Sequence, residues 1–142
     1  HIEPAPAGLY ATGDPDKVRR AIVHVLDNAA KFSEPGGTVA IGIERHGEGA
    51  ELAYELRVAD DGPGIPPEKI GKILEPFYQA DGSVTREYGG VGLGLAFARR
   101  VADAMGGGVE VHAPPRHEIA GCALGGTEVV LRVCAHPPGS DA

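Results

Sequence analysis

Apolar residues at helical spacing mark the first element of the chain. Asp14 suits a helix N-cap, and Pro15 suits the first helical position because its missing N–H would have no partner there. Pro35-Gly36-Gly37 ends the pattern, so we predict a helix from Pro15 to Lys31 or Phe32. Its expected core-facing stripe is Val18, Ala21, Ile22, Val25, Leu26 and Ala29.

Alternating apolar and polar positions then predict two adjacent strands. The first alternation begins at Val39, and the second runs over residues 52–60. A polar, glycine-containing turn at residues 47–49 separates them, which indicates a hairpin. The large apolar side chains of the second strand share one parity, and Asp60 continues it, so the Asp60 carboxylate is predicted to point toward the core.

The second half of the chain alternates between periodic and aperiodic segments. Residues 79–90 carry polar side chains and glycines without apolar periodicity, so we expect this segment to be mobile. The predicted elements are a short helix that starts at residue 66 and ends at Pro76, a helix over residues 91–105, and strands over 109–113 and 127–133.

Composition and charge indicate an ordinary soluble domain. The 142 residues are 42% hydrophobic and 23% charged. The net charge of −7 offers no basic surface for nucleic acid, and no apolar run approaches the roughly 18 residues of a membrane span. We therefore expect a cytoplasmic domain over residues 1–134, without nucleic-acid or direct membrane contact, and a disordered tail over 135–142.

Cysteine and histidine positions give no sign of a metal site. Cys122 and Cys134 lack CxxC spacing, so reduced thiols are expected rather than a disulfide or a zinc site. The histidines that fall in predicted loops or strand ends are expected at the surface, namely His46, His112, His117 and His136.

The second strand runs into Asp60-Asp61-Gly62-Pro63-Gly64. A buried carboxylate such as that of Asp60 costs free energy unless it is paired or hydrogen-bonded. Gly62 and Gly64 carry no side chains and leave room for a ligand to lie close to the backbone. The segment suits a flat heterocycle that bears an amino group, although Asp-Gly and Pro-Gly pairs also form ordinary solvated turns.

A polar stripe borders the apolar face of the first helix. His24, Asn28 and Lys31 fall at i, i+4 and i+7, within an arc of about 60°. The amide oxygen of Asn28 is a hard ligand that suits Mg²⁺, and Lys31 can neutralise phosphate charge. The stripe is therefore a candidate grip for a metal-bound triphosphate, the alternative being a helix surface with an incidental histidine.

A glycine-rich run at residues 89–95 leads into the predicted last long helix. Glycines let backbone N–H groups approach phosphate oxygens, and a helix N-terminus adds positive potential. No strand leads into this run, as a Rossmann-type turn requires. Gly71-Lys72 is followed by Ile73, where a P-loop needs Ser or Thr.

Together these segments resemble the ATP-binding catalytic domain of bacterial sensor histidine kinases, in the superfamily that includes gyrase and heat-shock chaperone ATPases. The resemblance covers residues 13–133, with five blocks in the family's order. The blocks are an N box at residues 24–32, a first glycine box at 60–64, an F box at 75–79, a second glycine box at 90–95, and Gly126-Thr127.

This resemblance implies a fold and an activity. The fold is a two-layer α/β sandwich of the α+β type, with a mixed sheet covered on one face by about three helices and a mobile ATP lid at residues 79–90. The activity is transfer of the γ-phosphate of Mg²⁺-bound ATP to a histidine on an adjoining helical dimerisation domain, in two-component signal transduction. A response regulator would be the partner of the full-length kinase, and the isolated chain is not expected to autophosphorylate.

The resemblance also implies a role for individual residues. Asp60 would accept a hydrogen bond from the adenine amino group, and Gly64 would lie against the base. Asn28 would coordinate Mg²⁺, Lys31 would contact phosphate, and Phe32 would flank the nucleotide. The implied catalytic residues are His24, Asn28 and Lys31, and the implied nucleotide contacts are Asn28, Lys31, Phe32, Asp60, Gly62, Gly64, Ile65, Arg86, Gly90, Val91, Gly92, Leu93, Gly94, Leu95 and Thr127.

His24 separates this chain from other branches of the superfamily. Gyrase-, chaperone- and mismatch-repair-type members typically place a glutamate base there, so His24 favours phosphoryl transfer over clamp-driving hydrolysis. Two other functions share the fold: a serine-type protein kinase that doubles as an anti-sigma module, which usually carries an acidic residue at this position, and a non-catalytic nucleotide sensor. The loop over residues 114–125 is longer than the family's, and the chain contains no dimerisation helix pair with a phosphoacceptor histidine.

Overall fold

A computed structural model describes residues 2, 13–33, 35–75 and 94–136 of the chain. The described part contains three α-helices, four strands and one short 3₁₀ turn. In chain order the helices and strands are α1 (Pro15–Phe32), β1 (Val39–His46), β2 (Ala53–Asp60), α2 (Pro67–Ile70), α3 (Gly94–Ala104), β3 (Gly108–His112) and β4 (Glu128–Cys134).

The four strands form one sheet in the order β1-β2-β4-β3, and every strand pairing is antiparallel. The predicted β1–β2 hairpin is confirmed, and its register pairs Val39 with Asp60. The sheet was predicted to be mixed. Among the residues that the structure describes, its one parallel contact is a bridge between Ile2 and Ile41. The fold is the expected α+β sandwich.

Helix α1 is stabilised by hydrogen bonds at both of its ends. The Asp14 side chain accepts hydrogen bonds from the N–H groups of Asp16 (3.0 Å) and Lys17 (3.3 Å), which would otherwise lack partners in the first helical turn. Pro15 occupies the first helical position, as predicted, and Ser33 closes the C-terminus with an N–H···O bond to Ala29.

The main hydrophobic core lies between the helices and one face of the sheet. Ala21, Val25 and Ala29 of α1 are at most 4% exposed, as the predicted stripe requires. They pack with residues of α3 and of the inner sheet face, including Leu95, Ala98, Ala102, Leu56, Val58, Val129 and Leu131. Small residues in both helices allow α1 and α3 to pack closely over the sheet.

The opposite face of the sheet, here called the outer face, is polar at one end and apolar at the other. Near the β1–β2 turn, Arg57 pairs with Glu44 and Glu55, and Arg132 also pairs with Glu55. At the other end, Ile119 packs onto Ala40 and Ala59 in a small separate cluster. Ile119 belongs to the loop between β3 and β4, so this loop covers the outer face where β2 ends.

The borders of the described part bear on several predictions. Ala135 is 1% exposed and its N–H donates to the Leu52 carbonyl (2.8 Å), so the packed chain includes a residue of the predicted tail. Residues 79–90 and 137–142 lie outside the described residues, so the lid and the rest of the tail stay predictions. Cys122 and Cys134 are free thiols, as expected.

No helix among the described residues is long and apolar enough to cross a membrane.

The N-cap of α1 provides a direct test of how this helix is anchored. Asp14→Ala removes both side-chain hydrogen bonds to the first turn and should lower the free energy of unfolding by about 1 kcal/mol, measured by urea denaturation. Asp14→Ser keeps an N-cap acceptor and should retain most of the stability. Equal losses in the two variants would show that the cap hydrogen bonds do not hold the helix start.

Candidate nucleotide site

Three strand ends meet at Asp60. It is the last residue of β2, it stands opposite the first residue of β1, and β4 begins beside Ala59. Two backbone bonds also tie Asp60 to the residues before β4: its N–H donates to the Thr127 carbonyl (2.9 Å), and its carbonyl accepts from the Gly126 N–H (3.0 Å). The backbone at Asp60 is therefore held on both sides.

The Asp60 carboxylate is buried, as the sequence predicted, with 3% of the residue exposed. Its Oδ1 atom accepts two backbone hydrogen bonds, from the N–H of Gly62 (2.9 Å) and the N–H of Thr127 (3.2 Å). None of the described residues donates to Oδ2. One oxygen thus holds the side chain in place, and the other is left to accept a hydrogen bond from a ligand.

Burial raises the pKa of Asp60 above its ordinary value, because removal from water disfavours the charged form. The hydrogen bonds from Gly62 and Thr127 oppose this effect, and the neighbouring Asp61 charge adds to it. A hydrogen-bond donor from a ligand would therefore stabilise the charged form of Asp60.

Glycine is required beside this carboxylate at two positions. A Cβ atom on Gly126 would lie at 2.5 Å from the Gly62 nitrogen and 2.6 Å from the Asp60 carbonyl oxygen, and it would also overlap Asp60 Oδ1. Gly64 adopts a φ of 79°, which side chains rarely tolerate, and its added Cβ would lie 3.4 Å from the Gly126 carbonyl. The two glycine segments therefore approach each other closely around Asp60.

Asp61 joins the loop after β2 to the turn that follows α1, a contact that sequence reasoning missed. Its Oδ2 accepts from the Thr38 N–H (2.9 Å), and its own N–H donates to the Thr38 carbonyl (3.2 Å). The missed signal was an Asp that follows a strand end, where a free carboxylate can bind the backbone of the adjacent strand. This link extends the pairing of β1 and β2 by one residue beyond Asp60.

The polar stripe of α1 lies where the sequence placed it. Asn28 is partly buried and Lys31 is exposed, both on the C-terminal half of α1 that leads through Thr38 to the Asp60 end of the sheet. No group of three or more histidine, cysteine or acidic side chains suited to a metal ion occurs within the described ranges. The amide oxygen of Asn28 is thus a hard metal ligand without a pre-formed acidic cage around it.

His24 lies between the two long helices. Its ring meets Phe97 of α3 edge-on, with 5.4 Å between ring centroids, and the Arg20 guanidinium lies 4.7 Å from the same Phe97 ring. A Cβ on Gly94 would lie 3.4 Å from His24 Nδ1, so the first residue of α3 sits directly beside the histidine. The described start of α3 therefore lies beside His24 of the polar stripe.

Ile65 and Leu95, both implied as nucleotide contacts, belong to the main core. They are 7% and 4% exposed, so they offer a ligand little side-chain surface and mainly back the walls of the site. The other implied contacts, Arg86, Gly90, Val91, Gly92 and Leu93, and the side chain of Phe32, lie outside the described residues. The ligand roles of all these residues stay predictions.

The expectation that the remaining histidines are surface residues is wrong for His112. The side chain of His112 is only 10% exposed, and its Nε2 lies 3.2 Å from Glu110. His46 lies 3.1 Å from Glu55, and His117 contacts the fully buried Glu128 at 2.9 Å. The partner of His112 lies two residues before it on the same strand. His46 and His117, whose side chains are 35% and 36% exposed, lie at the surface beside glutamates of the outer face.

The raised pKa of Asp60 has a consequence for stability. A group whose pKa is higher in the folded state stabilises the fold fully below its unfolded pKa, and this contribution is lost as the pH rises through the folded value. Asp60→Asn keeps an acceptor for Gly62 and Thr127 but removes the buried charge. The free energy of unfolding of the variant minus that of wild type should therefore increase as the pH is raised from 3.5 to 7, as measured by urea denaturation.

Glu68→Gln, which removes one charge at an exposed position of α2, is the control for net charge. A stability difference between Asp60→Asn and wild type that stays constant over this pH range would contradict the raised pKa.

Comparison with known proteins agrees with this geometry. Residues 13–137 match the family described as histidine kinase-, DNA gyrase B-, and HSP90-like ATPase. The chain is 38% identical over 98 residues to the circadian input-output histidine kinase CikA of Synechococcus elongatus, covering 69% of this chain and 12% of CikA. It is 40% identical over 101 residues to the sensor histidine kinase WalK of Bacillus subtilis, covering 71% of this chain and 16% of WalK.

Solved structures show the same relationship. The mycobacterial sensor histidine kinase MprB superimposes with a TM-score of 0.68 at 31% identity, over 89% of this chain and 78% of MprB. Full-length ShkA in complex with AMPPNP superimposes with a TM-score of 0.61 at 30% identity, over 85% of this chain and 22% of ShkA. This sequence thus spans only a small part of the sensor kinases CikA and WalK. The chain belongs to the histidine kinase-, DNA gyrase B-, and HSP90-like ATPase family, as an ATP-binding domain of the sensor histidine kinase type.

Proposed function

We propose that this domain binds Mg²⁺-ATP and donates the γ-phosphate to a histidine on a helical dimerisation domain of its parent protein. The observation that carries the proposal is the Asp60 carboxylate, which is buried, is fixed through Oδ1, and receives no hydrogen bond at Oδ2 from the described residues. Such an acceptor recognises a donor such as the adenine 6-amino group and opposes the carbonyl that guanine has at the same position.

The groups around Asp60 fit a nucleotide. Gly64 carries no side chain beside the carboxylate, where a flat base can lie close, and Gly126 lets its backbone pack directly against Asp60 and Gly62. On the other side, Thr38 and Asp61 connect the loop to the turn after α1, whose last turns carry Asn28 and Lys31. A ligand that extends from Asp60 toward α1 would thus pass from a base-binding to a phosphate-binding environment.

The phosphate end fits a hard cation. Asn28 supplies a partly buried amide oxygen, and Lys31 supplies a positive charge one helical turn further on. The α3 N-terminus beside His24 adds backbone N–H donors. When bound, Mg²⁺ would supply charge neutralisation for the transferred phosphoryl group.

Residues of this chain would contribute mainly by positioning. Asp60 would fix the base, Lys31 would hold phosphate charge, and His24, held against Phe97, would orient or deprotonate the incoming acceptor. The acceptor histidine, the response regulator that receives the phosphoryl group and the cytoplasmic location belong to the proposed parent kinase. CikA and WalK, of which the matched part is 12% and 16%, support this because both are named as histidine kinases.

Base selectivity tests the role of Asp60. Calorimetry should show Mg²⁺-ATP binding well above Mg²⁺-GTP, because a carboxylate accepts from an amino group and opposes a carbonyl oxygen. Asp60→Ala should weaken ATP binding by roughly 1–3 kcal/mol, the usual result when a buried hydrogen-bond partner is removed.

Asp103→Ala is a matched control, since it removes an exposed carboxylate from α3. Equal affinity of the wild-type domain for ATP and GTP would remove the adenine role of Asp60.

Phosphoryl transfer in trans tests the proposed reaction. Incubated with radiolabelled Mg²⁺-ATP, the chain alone should gain no acid-labile, alkali-stable label and should release phosphate very slowly. Mixed with the helical acceptor domain of its parent protein, it should label that domain, because the acceptor histidine then reaches the γ-phosphate. Asn28→Ala should abolish this labelling by removing the metal ligand.

Asp27→Ala, at an exposed neighbouring position of α1, controls for effects on the helix. Stoichiometric labelling of the isolated chain at His24, or fast ATP turnover without a partner, would show an autonomous ATPase instead. Acid-stable label on a serine would favour the serine-kinase alternative.

A further inference from the structure

A fully buried glutamate lies on the outer face directly behind the base-binding end of the sheet. Glu128, the first residue of β4, is 0% exposed, and none of the nucleotide-binding roles uses it. Residues 113–125, which join β3 to β4 and are here called the strap, run over this part of the outer face. A buried carboxylate requires hydrogen-bond partners, and those of Glu128 come from the strap.

The strap is built as a defined structure. Ala120 and Gly121 both adopt positive φ values, 53° and 75°, as the central residues of a two-residue hairpin turn. Ile119 and Cys122 flank this turn and exchange backbone hydrogen bonds of 3.1 and 2.8 Å. Ile119 is 3% exposed in the cluster that includes Ala59, the residue before Asp60.

One polar anchor connects the strap to the sheet. His117 Nδ1 lies 2.9 Å from Oε1 and 3.0 Å from Oε2 of Glu128, and the Arg116 N–H donates to Oε1 at 3.4 Å. Because a carboxylate only accepts, Nδ1 carries the proton in this contact. Loss of the His117 ring would leave a buried carboxylate with the long Arg116 bond as its sole remaining hydrogen bond among the described residues.

The anchor is directly continuous with the base-binding residues. Glu128 follows Thr127, whose N–H donates to Asp60 Oδ1 and whose carbonyl accepts from the Asp60 N–H. Glu128 also pairs across the sheet with Ala59. A backbone movement that brings the Glu128 carboxylate toward water would therefore displace Thr127 and loosen the bonds that hold Asp60.

We propose that His117 and Glu128 are positioning residues for the nucleotide site: their contact fixes Thr127, and Thr127 orients the Asp60 carboxylate toward the base. The inference rests on the proposed binding of ATP at Asp60 and adds a dependence on the strap. Thermodynamic linkage then requires the reverse effect as well, so nucleotide binding must stabilise the strap.

Three variants test the anchor by calorimetry with Mg²⁺-ATP and by ¹⁵N–¹H NMR. His117→Ala removes the donor and should weaken binding roughly two- to thirtyfold, the range for changes along a coupled network. It should also shift the Thr127 and Gly62 amide resonances. His117→Asn restores an N–H donor at the same position and should recover most of the affinity. His46→Ala, which removes a histidine–glutamate contact at the opposite end of the same face, should leave affinity and both resonances near wild type.

The outcomes separate this inference from the proposed function. A wild-type domain that does not bind Mg²⁺-ATP would refute the function, whereas wild-type affinity in His117→Ala would refute the anchor alone. Equal weakening in His117→Ala and His117→Asn would assign the effect to strap packing and overturn the role of the hydrogen bond.

Hydrogen exchange in the wild-type protein gives a second test that needs no variant. Addition of Mg²⁺-ATP should slow exchange at the strap amides of Ile119 and Cys122, whose bonds close the hairpin turn. Unchanged exchange in a domain that binds ATP would refute the coupling.

Discussion

The site depends on one constrained carboxylate. Asp60 Oδ1 accepts hydrogen bonds from two backbone N–H groups of different segments, which orients the side chain, and none of the described residues donates to Oδ2. Desolvation alone would make this group costly, and the two amide bonds offset part of that cost. The position exists only because β1, β2 and β4 all begin or end there. The glycines at 64 and 126 are the local consequence, since Gly64 adopts a positive φ and a side chain on Gly126 would overlap Asp60 and Gly62.

The two layers of the fold divide the work of the proposed reaction. The sheet and its loops hold the base-binding carboxylate, and the helix layer presents Asn28, Lys31 and the start of α3. Asp61 and Thr38 extend the pairing of β1 and β2 by one residue through two hydrogen bonds, which hold the loop after Asp60 against the start of β1. A reaction that depends on positioning and charge neutralisation needs this rigidity more than it needs a strong nucleophile in the domain itself.

Local patterns predicted much of this structure. Strand parity predicted that Asp60 is buried, the Asp14-Pro15 pair predicted where α1 begins, and helical spacing predicted its buried stripe. In each case the signal lies within one element, where geometry follows directly from sequence spacing.

Contacts between distant segments could not be predicted in this way. The bond from Thr127 to Asp60 spans 67 positions, and it depends on the register between β2 and β4, which alternation alone does not set. The burial of Glu128 beneath the strap likewise required knowing that the β3–β4 loop folds over the outer face. The contact of His117 with Glu128 was missed for the same reason, since nothing local identifies this partner.

A crystal structure of the domain with Mg²⁺ and a non-hydrolysable ATP analogue would test the central claim most directly. The adenine 6-amino nitrogen should lie about 3 Å from Asp60 Oδ2, the usual length of an N–H···O hydrogen bond. Oδ1 should still accept from Gly62 and Thr127, and the Asn28 amide oxygen should be a ligand of the metal. A base bound elsewhere, or an Asp60 side chain rotated so that Oδ1 leaves both backbone N–H groups, would contradict the account.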